Sequence, residues 1–234
     1  MDIHKPKPWR GVREFLKEIG TIVIGVLIAL GAEAVVQKVH EDRLSDEARE
    51  AVRGELNVNI TNLALRSLVE PCMVRQIDEI GALLDQADAG GSVPPPTNIA
   101  GPNMSGIVAT QRWQAATAGG RTSLLSSEEQ RAFGRVYGWL ALLAGQEVDE
   151  RRAWTHLRAL NGVRRLSPEM IYGERIALFE ARDLDRGIKH DFASAKHYAN
   201  LVGVKGDAHL VMAPGSIKSA PACPSIDAPA SANP

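Results

Sequence analysis

The chain has 234 residues, of which 44% are hydrophobic, 24% charged and only 5% aromatic. That is the make-up of a folded chain with room for one domain plus an appendage, not of a disordered one. A formal net charge of −1 leaves no global electrostatic footprint for nucleic acid. Two cysteines are too few for a multi-cysteine zinc site or a disulfide-dense scaffold, and the scarcity of aromatics favours helices over a sandwich or barrel.

Residues 1–18 form a basic leader. Lys5, Lys7, Arg10, Arg13 and Lys17 outnumber Asp2, Glu14 and Glu18. Pro6 and Pro8 keep its start extended. From Trp9 onward, Val12, Phe15, Leu16 and Ile19 recur at three- and four-residue steps, which predicts that helix begins there. Trp9 and the basic residues suit a headgroup-level anchor.

Ile19–Val36, IGTIVIGVLIALGAEAVV, is the longest near-continuous apolar run. Eighteen helical residues span roughly 27 Å, enough for a hydrocarbon core of about 30 Å when the end residues snorkel. Three readings fit: an uncleaved single-pass anchor over 19–37, a cleaved signal peptide, and a buried core helix. The signal-peptide reading rests on the A-x-A pattern of Ala32-Glu33-Ala34. Helical patterning without a turn signal through that site favours the anchor. The short basic flank predicts a cytoplasmic N-terminus. The rest would then lie outside the inner membrane, in a periplasm if the source is Gram-negative; the signal-peptide reading gives the same compartment.

Gly25, Ala29 and Ala32 share one helix face, with Glu33 adjoining. Small faces allow close helix packing, and a carboxyl group at the membrane favours a hydrogen-bonded partner. This face is the candidate for a homo-oligomer or a membrane-protein partner; the plain alternative is that Glu33 snorkels to the interface.

Beyond residue 38 the chain turns polar and amphipathic. Ser45–Leu68 reads as helix, with Ala48, Val52, Leu56, Ile60 and Leu63 in one stripe. Pro71 should kink or restart it, and Met73, Ile77, Ile80 and Leu84 resume the spacing to about Gln86, giving a first hairpin. Asp88–Asn103 reads as a mobile loop or polyproline spacer. Ser105 is a candidate cap for a short helix to Ala118, ended by Gly119-Gly120. Ser126 and Glu129 spell a capping box before a helix carrying Phe133, Val136, Tyr137, Leu140 and Leu143, with Asn161-Gly162 as its stop. Ser167-Pro168-Glu169 starts another helix with Leu178, Ala181, Leu184, Ile188, Phe192, Ala195 and Ala199 in its stripe. After Gly203 the pattern fails. The expected fold is all-α: an anchor, an antiparallel bundle of about four helices over 38–203, and an irregular tail over 204–234.

Chemistry is sparse. No P-loop, GxGxxG, GxSxG or HExxH pattern occurs, and neither a catalytic residue nor a cofactor is expected. His190, Asp191 and His197 lie on one predicted helix, as a metal-dependent hydrolase would place ligands, but a solvated face explains them better. Glu174, Glu180, Asp183 and Asp185, interleaved with Arg175, Arg182 and Arg186, read as a solvated face with salt bridges. Arg151, Arg152, Arg164 and Arg165 form small basic patches suited to lipid headgroups or an anion. Trp113, Tyr137, Trp139 and Trp154 suit core or a pocket between helices. In an oxidising compartment Cys72 and Cys223 would pair; the alternative is two thiols.

The leader with GTIVIGVLIALGAEA resembles a group of uncharacterised bacterial membrane proteins in which a short membrane helix runs into a longer charged helix. The match is clearest over residues 10–66, and Pro71-Cys72 with Cys223 is similar to the group's pattern. The resemblance implies a single-pass anchor and an extracytoplasmic helical region, and no activity. The functional expectation is therefore interaction or scaffolding at a lipid bilayer, without nucleic acid. A ligand-sensing bundle, with its site between the two late helices, is the second reading.

Overall fold

A computed structural model describes residues 11–102, 108–206 and 225–227. The described residues form four α-helices and no strand: α1 (Val12–Asp88), α2 (Gln111–Ala118), α3 (Ser127–Arg158) and α4 (Pro168–Leu201), with a 3-10 turn at Arg121–Leu124. The all-α bundle expected from the pattern is what the structure shows. The chain divides into two compact units, Met1–Glu47 and Ala48–Pro234.

In the first unit, the helix is apolar and long enough to cross a membrane. Its most apolar eighteen-residue window has a mean hydropathy of 2.4, and none of it is buried. Ile22, Ile24, Leu27, Ile28 and Leu30 are all exposed. The helix then becomes a polar one, tied by i,i+4 pairs. Gln37 Nε2 donates to Glu41 at 2.9 Å, Lys38 pairs with Asp42 at 2.7 Å, and Arg43 with Glu47 at 3.1 Å. The described helix is unbroken through Ala32-Glu33-Ala34.

In the second unit, the expected first hairpin is a single helical stretch. Pro71 lies inside α1 without ending it. Proline frees the carbonyl four residues before it. Here that residue, Ser67, and Pro71 itself are both exposed, so water can satisfy the freed group. The core stripe also keeps phase across the proline: Leu63, Arg66, Met73, Ile77 and Ile80 are all buried.

Contacts along the helices give their directions. From α1 to α3, Arg49 meets Glu129, Glu55 meets Tyr137, and Arg66 meets Glu150. Numbers rise together, so these helices run parallel. From α1 to α4, Glu70 meets Lys189, Asp78 meets Arg182, and Asp85 meets Arg175. Numbers run oppositely, so α4 is antiparallel to both. The stretch between α1 and α3 must therefore carry the chain back along the bundle, and its described residues are tied to the helices by hydrogen bonds.

Three side-chain amides hold that stretch, those of Gln76 and Asn59 buried and that of Asn161 at the surface. Gln76 Nε2 donates to Asn98 O at 3.0 Å, and its Oε1 accepts from the backbone of Ala100 and Gly101. Asn161 exchanges two bonds with the backbone of Ile99, and Asn59 does the same with Ala109. Each satisfies backbone groups that an irregular buried segment would otherwise leave unpaired. Gly101 has φ +66°, and an added Cβ would lie 2.6 Å from the Trp154 ring. Only glycine fits this crossing.

The helix starts are as the sequence spells them. Ser126 accepts from Glu129 N, and Glu129 reaches back to Ser126 N, a full capping box. Ser167 accepts from Met170 N, with Pro168 at the first helical position. The short helix begins later than expected, at Gln111 with Thr110 preceding it. Ser105 lies outside the described residues, as do most of the tail and Cys223. Within the tail, Ile226 is buried against the bundle. Its N donates to Glu79 at 2.9 Å, and its O accepts from Thr97 and Asn98.

Candidate functional site

The bundle has two apolar clusters separated by an ionic layer. One cluster holds Val52, Leu56, Ile60, Phe133, Leu140 and Leu143. The other holds Ile77, Ile80, Leu84, Trp154, Leu157 and Leu178. Between them Arg66 Nη2 donates to Glu150 Oε1 at 2.5 Å and lies 3.4 Å from Asp185 Oδ1. The three side chains are 3%, 5% and 8% exposed. Gln146 Nε2 donates to the buried Asp191 at 2.7 Å nearby.

One guanidinium thus faces two carboxylates out of water. Burial pushes both carboxyl groups above their usual range, and Arg66 only partly offsets it. Arg66 Nε has no hydrogen-bond partner among the described residues. Such a layer fixes which helix faces meet, because sliding by a turn would leave charges buried and unpaired.

This placement corrects the reading of Asp185 as part of a solvated face. Its companions do not pair along α4 either: Arg175 and Arg182 reach across to Asp85 and Asp78. Glu174 is half-buried, and burial raises its carboxyl. The signal for the layer was present in the sequence. Arg66 follows Leu63 by three, Glu147 and Glu150 continue the stripe of Leu140 and Leu143, and Asp185 sits four after Ala181. Each is a charge on a core-facing stripe.

His190 and His197 are exposed while Asp191 points inward to Gln146. Among the described residues no three His, Cys, Asp or Glu converge as metal ligands. Tyr137 and Trp154 are core, and Trp113 stacks on Tyr137 at 5.0 Å. Tyr137 donates to Glu55 at 2.8 Å, and burial, then that carboxylate, raises its phenol far above the ordinary value. Trp139 packs against the first cluster. Arg151 and Arg152 are exposed along α3, and Arg164 and Arg165 lie on the exposed stretch after it. Gly25, Ala29, Ala32 and Glu33 are all exposed. Cys72 is half-buried on α1.

Two surface features were not foreseen. On α4, Tyr172, Ile176 and Phe179 are 70%, 46% and 67% exposed at i, i+4 and i+7, an apolar stripe facing away from the core. A half-open cleft of about 410 Å³ lies among α1, the first turns of α3 and the end of α4. Arg53, Arg131, Arg135 and Tyr198 line it with Glu128 and Glu129. The arginines come from segments about eighty residues apart in the sequence, so no local motif announces them.

No protein family, curated protein or solved structure matches this chain.

Proposed function

We propose that this is a single-pass membrane protein, anchored through Ile19–Val36, whose helical bundle acts by interaction or scaffolding rather than catalysis. What carries the reading is the fully exposed apolar window of mean hydropathy 2.4. An exposed surface of that length has no place in water and a ready one in a bilayer. The unbroken helix through Ala32-Glu33-Ala34 supports an anchor over a cleaved signal. The basic leader supports a cytoplasmic N-terminus, and hence a bundle in the periplasm or its equivalent.

The same compartment supports a Cys72–Cys223 disulfide. Ile226 docks at Glu79, which follows Cys72 by seven residues on the same helix face, about 10 Å along α1. Cys223 precedes Ile226 by three residues, a reach of about 10 Å when extended. Pairing would clamp the tail onto the bundle.

Two surfaces support an interaction role: the small face of Gly25, Ala29 and Ala32 beside Glu33, and the exposed stripe of Tyr172, Ile176 and Phe179. Crosslinking in membranes followed by copurification from mild detergent tests it. Expected are crosslinked species that weaken in Gly25→Leu or Phe179→Asp. A lone monomer throughout would overturn the interaction role.

A further inference from the structure

We propose that the cleft lined by Arg53, Arg131, Arg135 and Tyr198 binds the phosphate of a phosphomonoester. This goes beyond the anchoring and interaction role and does not depend on it. The first observation is charge. Among the described residues none of these three arginines is ion-paired with a carboxylate. Of the two acidic residues in the cleft, Glu129 is already engaged: it accepts from Arg49 at 2.6 and 3.2 Å and from Ser126. That leaves Glu128 alone against three guanidinium groups, an excess suited to a dianion.

The second observation is geometry. Arg131 Nε donates to Ser127 O at 3.1 Å, which orients its terminal amino groups. The Arg135 guanidinium lies 5.6 Å from the centre of the Tyr198 ring, within cation–π range. Two of the three guanidinium groups are thus held by neighbours before any ligand arrives. Guanidinium forks match tetrahedral phosphate oxygens in two-point contacts. The third observation is the rest of the wall. Ala132, Leu201 and Val202 give one side an apolar lining, suited to the organic part of an ester. The cleft volume is within the range of small-molecule sites.

A phosphomonoester has two sources, a soluble metabolite or a lipid such as phosphatidic acid, and the test separates them. Full-length protein in phosphatidylcholine nanodiscs is titrated with phenyl phosphate by calorimetry. Saturable binding is expected, weakened at least about tenfold in Arg53→Gln/Arg135→Gln, since each charge-assisted bond is worth roughly a decade in affinity. Glu128→Gln should bind more tightly. Circular dichroism of each exposed-residue variant should match that of the parent. Repeating the titration in nanodiscs containing phosphatidic acid then assigns the source. A weakened apparent affinity shows that the lipid headgroup occupies the cleft, and an unchanged one assigns a soluble ester. No binding in phosphatidylcholine nanodiscs, or binding indifferent to the arginine substitutions, would overturn the proposal.

Discussion

Replacing Arg66 with methionine tests the ionic layer. Methionine keeps the aliphatic length but removes the charge that Glu150 and Asp185 share. All three side chains are under one-tenth exposed, so water cannot take over. Breaking a buried ion pair from one side costs about 3–5 kcal/mol. For a domain of this size that lowers the melting temperature by roughly 6–20 °C. The deficit should depend on pH with a definite sign. Both carboxyl groups sit above their ordinary range because of burial. The folded state therefore holds protons that the unfolded chain releases. The stability this gives is fully present below the ordinary carboxylate range and is lost as pH rises through the raised values. Removing Arg66 raises them further, so the variant should be weakest at neutral pH and recover on acidification. A companion, Arg66→Met/Glu150→Leu/Asp185→Leu, should return close to the parent or above it, since apolar replacement of a buried ionic group is often neutral or stabilising. Urea unfolding followed at 222 nm from pH 4 to 8 measures both variants. A loss under about 1 kcal/mol for Arg66→Met, or no pH dependence, would refute a desolvated layer.

Other consequences are local. Gly101→Ala should destabilise by about 2 kcal/mol or more, since it combines a positive φ with a Cβ only 2.6 Å from the Trp154 ring; chemical denaturation measures it. Arg49 holds the Glu129 carboxyl down at about 2 from an ordinary 4.5. The stability from that pair is present above pH 4.5 and lost as pH falls toward 2, so the gap between parent and Arg49→Met should close over that window. Because the pair is partly solvated, the gap is about 1 kcal/mol or less. If Cys72 and Cys223 pair, unreduced protein should show no alkylatable thiol by mass spectrometry. Cys223→Ser should then lower stability by up to about 4–5 kcal/mol in the chain-entropy picture, whereas two labelled thiols would dismiss the bridge.

Much of the bundle was legible because its signals are local. Ser126 and Ser167 announce α3 and α4 through side chains that bond their own first turns. Stripes such as Val52, Leu56 and Ile60 name their buried face by spacing alone. What was not legible depends on where a residue faces once packed. Pro71 does not end α1, and both it and Ser67, whose carbonyl it frees, lie on the solvent side. Residues 88–103 look like a loose linker by composition. Gln76 and Asn161, remote in the chain, give that segment's backbone its partners. The ionic layer was half legible, since each charge sits on a stripe, but a stripe does not reveal that Arg66 and Asp185 meet. The arginine cleft gave no signal, because Arg53 and Arg135 are brought together only by the parallel course of α1 and α3.

The most direct test of the membrane anchor is the N-terminus of the mature protein. Full-length protein would be expressed in its native type of host, extracted from alkali-washed membranes and sequenced from its amino end. Protease would be added to intact spheroplasts in parallel. Expected is a chain that stays in the membrane fraction, retains the basic leader and Ile19–Val36, and loses its bundle to external protease while keeping its leader. A soluble mature chain beginning at Val35 would contradict it.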